Sequence, residues 1–114
     1  MASAMEIRHI GSASVLRMIE RVDSVTCTEV ESALQALIAT NARHVICDFG
    51  ATKYISSAGL RVLMLAAKNL KRAGRQLALV CPKGNYIYDV FDLTAFTQLV
   101  PAFETVDEAV AKLT

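Results

Sequence analysis

The chain has 114 residues, 54% of them hydrophobic, which is enough for one core and short of two domains, so residues 1–114 read as a single domain. Twelve Lys and Arg stand against eleven Asp and Glu for a net charge of +1, and that balance gives no support to binding a nucleic-acid backbone or an anionic membrane surface. A protein partner is the expectation that remains.

Cys27, Cys47 and Cys81 are odd in number, widely spaced and set among apolar residues. That fits reduced, buried thiols in a cytoplasm better than a disulfide framework or a zinc site. The start, Met1-Ala-Ser-Ala-Met5, has neither a basic nor an apolar signal region, and no apolar run approaches the roughly 18 residues of a membrane span. The reading is of a protein neither secreted nor membrane-spanning by itself.

Met5 to Ile10 and Ser14 to Glu20 alternate apolar and polar residues around Gly11-Ser12, which predicts two strands joined by a tight turn. Thr28 and Glu31 have capping-box spacing ahead of Val30, Ala33, Leu34, Leu37 and Ile38, so a first helix is expected to run to about Thr40, with Asn41 ending it. His44 to Phe49 has too little polarity for a wet face and predicts a central strand covered by helices. Gly50 to Lys53 is a loop.

The stretch Tyr54-Ile-Ser-Ser-Ala-Gly-Leu-Arg61 then reads as a strand-to-helix junction. Ser56 suits an N-cap, leaving Ser57 at the first helical position, where a phosphate would be favoured by about 0.3–1 kcal/mol. Helix two is predicted over Ser57 to Ala73, stopped by Gly74, with Leu60, Leu63, Ala66, Ala67 and Leu70 buried and Arg61, Leu65, Lys68 and Arg72 outside. Leu77 to Cys81 is another all-apolar strand, followed by the turn Pro82 to Asn85 and a short helix, Tyr86 to Leu93. Pro101 marks Leu99 to Phe103 as an edge strand, and Thr105 with Glu108 caps a last helix, Val106 to Leu113. The order β-β-α-β-α-β-α-β-α predicts an α/β fold with a mixed sheet of about five strands and four helices.

No catalytic constellation is complete. A nucleophile elbow needs glycines on both sides of its serine, but Ser57 is flanked at those positions by Ile55 and Gly59. His9 and His44 open strands instead of following the last one, and no phosphate-cradling loop, dinucleotide fingerprint or paired metal-ligand spacing occurs. The expectation is a non-enzymatic protein with no cofactor and no metal.

The residues Asp48…Tyr54-Ile55-Ser56-Ser57-Ala58-Gly59-Leu60 resemble a STAS domain of the anti-sigma factor antagonist type. The likeness continues through Lys71-x-x-Gly74, Val90-Phe-Asp-Leu-Thr94 and Thr105-Val-Asp-Glu-Ala109, so it covers nearly the whole chain. The resemblance implies the STAS fold and a bacterial, cytoplasmic partner switch in signal transduction and transcription regulation. In such a switch the unphosphorylated domain binds an anti-sigma factor that is a serine kinase of the GHKL type. Phosphorylation ends the binding, and a serine phosphatase of the PP2C type resets it. The resemblance places the acceptor at Ser57, with Ser56 as the alternative because it stands where the family usually has Asp. It also places Asp23 on the partner surface, although Glu20 replaces the family's usual Gly. Ser56, Ala58, Gly59, Arg61 and Leu65 are expected around the contact, Ala58 and Gly59 by letting a partner backbone approach. Other STAS domains are accessory subunits of lipid-transporting ABC systems, which makes a transporter subunit the rival reading.

Overall fold

The computed structural model describes residues 5–40 and 42–113. Five strands form one sheet: β1 (Glu6–Ile10), β2 (Ala13–Arg17), β4 (His44–Asp48), β6 (Gln76–Val80) and β7 (Ala102–Phe103), in the order β1-β2-β4-β6-β7. A separate two-stranded ribbon pairs β3 (Arg21–Val22) with β5 (Tyr54–Ile55). The helices are α1 (Cys27–Ile38), α2 (Ser57–Arg72), α3 (Tyr86–Leu93), α4 (Phe96–Leu99) and α5 (Val106–Leu113).

Among the described residues only β1 and β2 are antiparallel, joined through Gly11 at φ +60°, where a two-residue hairpin demands a left-handed backbone. The pairs β2–β4, β4–β6 and β6–β7 are parallel. Register rows cross the sheet, so Leu16, Cys47 and Leu79 share one face while Val15, Ile46 and Ala78 share the other. The first row joins a large core with Val30 and Leu34 of α1, Leu63 and Leu70 of α2, and Phe91 and Phe96 of α3 and α4. The second packs under Ala109 of α5. Both faces are thus covered, which is why the central strands lack a polar alternation. Phe49, Phe91 and Phe96 meet in sequence, with ring centroids 5.1 and 5.5 Å apart.

The mixed sheet is as expected, and the helices number one more. Leu99 ends α4 instead of opening a strand, and β7 begins only after Pro101, whose carbonyl accepts from the Leu79 amide. Ala95, at φ +60°, makes the sharp turn between α3 and α4 that lets Phe96 be buried. Helix α1 begins earlier than the Thr28–Glu31 spacing suggests. Asp23 Oδ1 accepts from the Val25 and Thr26 amides at 2.9 and 3.0 Å, and the Cys27 amide donates to the Asp23 carbonyl at 2.8 Å. The start is therefore organised from Asp23, and Thr28 lies exposed within the first turn. Helix α1 ends at Ile38, and the stop expected at Asn41 lies outside the described residues.

Helix α2 ends as its sequence demands. Gly74, at φ +73°, allows its own amide to reach the Lys71 carbonyl and the Arg75 amide to reach the Leu70 carbonyl. The Arg75 side chain then donates to the Ala42 and Ile38 carbonyls at 2.7 and 2.6 Å, tying this turn to the C-terminal end of α1. At α5 the Glu108 amide donates to Thr105 Oγ1 at 3.1 Å, and Glu108 Oε1 accepts from the Glu104 amide at 3.0 Å.

Candidate functional site

The two-residue strands β3 and β5 are too short to show a period in the sequence, yet they build the site. They run parallel with Arg21 opposite Tyr54 and Val22 opposite Ile55. The ladder extends at both ends, with the Lys53 amide on the Glu20 carbonyl at 2.7 Å and the Ser56 amide on the Val22 carbonyl at 2.8 Å. The chain therefore leaves β3 through Asp23 and β5 through Ser56 side by side. The first exit starts α1 and the second starts α2.

Ser56 has extended backbone, φ −91° and ψ 170°, and its Oγ accepts from the Gly59 amide at 3.2 Å. It is the N-cap expected from the sequence, and it is half-buried. Ser57 opens the helix, is exposed, and makes no side-chain hydrogen bond among the described residues. One hydroxyl is committed to the helix while its neighbour is presented to solvent. Arg61 follows Ser57 by one turn, also exposed, and the first turn of α2 holds no acidic side chain.

Asp23 is held firmly. Besides its two amide bonds, its Oδ2 accepts from Arg21 Nε at 2.8 Å, and the Arg21 guanidinium lies 4.3 Å over the Tyr54 ring. The Thr26 amide, followed by the Arg21 guanidinium, holds the Asp23 carboxyl below its ordinary value of 3.8. Arg21 thus clamps β3, β5 and the turn together, a role that only the pairing of the strands reveals. At the tip of that turn Val25 is 81% exposed, an apolar side chain beside the junction that nothing in the sequence pattern marks out.

Two expected contact residues differ in kind. Gly59 is buried, and a Cβ there would lie 2.7 Å from Val22 Cγ1 and 3.0 Å from Ile55 Cγ1. Its missing side chain lets α2 close on the β3–β5 ribbon. Ala58 is half-buried next to it. Leu65 is 48% exposed on the outer face of α2 with Arg61, Lys68 and Arg72, as the helical projection requires.

Neither histidine hydrogen-bonds to Ser57 among the described residues. His44 opens β4, at the far end of that strand from the loop that leads to the junction, whereas His9 lies near the end of β1 and not at its start, with its Nδ1 2.8 Å from Ser14 Oγ. Burial, followed by Arg43, pushes the His44 ring below its ordinary value. Cys47 and Cys81 are buried in the core, and burial raises both thiols, Cys81 to about 11. Cys27 is half-buried at the start of α1.

The fold and the junction together define a mixed-sheet α/β domain that presents one uncommitted serine at the head of its longest helix. The STAS domain family matches residues 4–109. A Bordetella bronchiseptica protein, BtrV, named as a candidate anti-sigma factor antagonist, is 34% identical over 90 residues, which is 79% of this chain and 77% of that protein. An anti-sigma factor antagonist from Mycobacterium paratuberculosis superposes with a TM-score of 0.86 at 21% identity, over 96% of this chain and 92% of that one. The Bacillus cell fate determinant SpoIIAA in its phosphorylated form gives 0.74 at 16% identity, over 97% and 100%. The two structures establish likeness of fold. The chain belongs to the STAS domain family, among the anti-sigma factor antagonists.

Proposed function

We propose that this chain acts as one STAS domain in a cytoplasmic partner switch. Unphosphorylated, it binds an anti-sigma factor with GHKL-type serine kinase activity. Phosphorylation of Ser57 releases it, and a PP2C-type phosphatase restores it. The observation that carries this reading is the division of labour at the junction: Ser56 caps α2 through its Oγ, and Ser57 is exposed with its hydroxyl unengaged among the described residues.

A phosphate on Ser57 adds about −1.5 to −2 charges. The first amides of α2 would favour it by roughly 0.3–1 kcal/mol, and Arg61 one turn on adds about 0.2–0.5 kcal/mol. The domain therefore stays folded and the penalty falls on the complex. Asp23 already places negative charge on the adjoining turn. Driving a dianion into a dry interface there costs several kcal/mol, comparable with the ~5.5 kcal/mol that moves a population from 99:1 to 1:99. Val25 at the turn's tip and Leu65 supply apolar contact, while Arg61, Lys68 and Arg72 meet acidic groups of the partner. Asp23 acts through the turn it holds rigid.

Incubation with the cognate kinase and ATP tests the acceptor. The wild-type chain and Ser56→Ala should each gain the mass of one phosphate, and Ser57→Ala should gain none. Transfer that survives Ser57→Ala would assign the switch elsewhere.

A further inference from the structure

The near-neutral total hides a strongly divided charge. Residues 49–88 contain seven Lys or Arg and no Asp or Glu, whereas residues 89–108 contain five Asp or Glu and no Lys or Arg. The boundary falls within α3, and the folded chain sets an apolar surface on each side of it.

The cation-bearing α2 and the uncharged α4 enclose a groove of about 200 Å³. Met64 and Ala67 of α2 and Phe96 and Leu99 of α4 supply its apolar lining, and Lys68 and Lys71 stand at its rim. Leu99 is 64% exposed, and neither lysine makes an ion pair among the described residues. On the acidic side, α3 buries Ile87 and Phe91 and turns Tyr86, Asp89 and Leu93 outward at spacings of three and four residues, in one line. Tyr86 is 56% and Leu93 86% exposed, and Asp89 makes no ion pair among the described residues. Asp92 lies beside them, exposed, its carboxylate accepting from Thr97 Oγ1 at 3.2 Å.

We infer that the groove between α2 and α4 receives the outer face of α3 from a second copy of this chain, and that the exchange is mutual. The two surfaces complement each other in both respects: an apolar cleft with a lysine rim meets an apolar stripe carrying two aspartates. They lie on consecutive helices around α4, so a two-fold axis beside Leu99 brings each stripe to the other copy's groove, in an isologous pair. Leu93 fills the cleft between Met64 and Phe96, and Asp89 and Asp92 face Lys68 and Lys71. The contact is small and partly polar, which places it among weak dimers whose affinity falls with salt. Ser57 precedes Met64 by two turns of helix, about 10 Å, and stays uncovered. Lys68 is shared with the kinase contact, so the dimer and the kinase complex compete for this part of α2 while the Ser57 hydroxyl stays open to phosphorylation.

Sedimentation velocity of the full chain from micromolar to near-millimolar concentration tests this. The expected result is a monomer–dimer equilibrium that weakens at least tenfold between about 0.05 and 0.5 M salt. Leu93→Asp, the double variant Lys68→Glu/Lys71→Glu and the double variant Asp89→Lys/Asp92→Lys should each be monomeric yet folded, with only a small fall in melting temperature from the reversed charges at the ends of α2 and α3 and the lost Thr97–Asp92 bond. Mixing the two double variants should restore the dimer, since each groove then faces a stripe of opposite charge. A wild-type chain that stays monomeric throughout, a dimer indifferent to all three variants, or a mixture that fails to associate would each overturn the proposal.

Discussion

Gly59→Ala places the local physics of the junction under direct load. In an open helix this change stabilises by about 0.8–1 kcal/mol, because alanine is the better helix former. Here the new Cβ would lie 2.7 Å from Val22 Cγ1, 3.0 Å from Ile55 Cγ1 and 3.4 Å from the Val22 carbonyl oxygen. Val22 and Ile55 are both buried and both β-branched, with stiff χ1 angles, and both lie on the ribbon that the Ser56 and Lys53 amides lock in register. The collision cannot be relieved by swinging one flexible end, so α2 must lift from the ribbon. Overpacking of this kind costs about 1–3 kcal/mol, which exceeds the propensity gain and leaves a net loss of roughly 1 kcal/mol. Urea unfolding should show a lower midpoint at unchanged slope, and the melting temperature should fall by about 4 °C. Gly84→Ala is the matched control, since nothing lies within 4 Å of its Cβ position, and it should be neutral or slightly stabilising. A Gly59→Ala chain as stable as the wild type would refute the close packing of α2 on β3 and β5.

Two further substitutions test the supports around the site. Arg75→Met should destabilise by about 1.5–3 kcal/mol in chemical denaturation, because it removes charged donors from the Ala42 and Ile38 carbonyls; an unchanged midpoint would show that water replaces them at no cost. Asp23→Asn acts on the acid limb of stability. A carboxyl held below its ordinary 3.8 stabilises the fold above that value and loses the contribution as pH falls through its depressed folded-state pKa. The stability–pH profile below about pH 4 should therefore be flatter in Asp23→Asn than in wild type, and parallel profiles would show that the clamp with Thr26 and Arg21 does not form.

The strongly patterned parts of the chain were legible from sequence. Val45 to Cys47 and Leu77 to Val80 are continuous apolar runs because both sheet faces are covered, and α2 carries its cap at Ser56 and its stop at Gly74 in the residues themselves. What escaped depends on pairing between distant segments. β3 and β5 have two residues each, so no period exists to read, and their identity comes from each other. Arg21 as a clamp over Tyr54 and Gly59 as the place where α2 meets Val22 follow from that pairing, whereas Asp23 organises α1 through local bonds to the Val25, Thr26 and Cys27 amides. Helix α4 was hidden for a different reason. Its four residues are forced by a left-handed Ala95, a conformation that alanine does not announce. The candidate acceptor was narrowed to two serines by the sequence, and the hydrogen bond from the Gly59 amide to Ser56 separates their roles.

The central claim is that Ser57 controls binding without controlling folding. Titration calorimetry of the anti-sigma kinase against wild-type chain, enzymatically phosphorylated chain and Ser57→Asp, with thermal unfolding of all three, tests it most directly. The account predicts at least a hundredfold weaker binding for the modified forms, about 2.7 kcal/mol, with melting temperatures within a degree or two of wild type. Equal affinity across the three, or weakened binding that merely follows a lowered melting temperature, would contradict it.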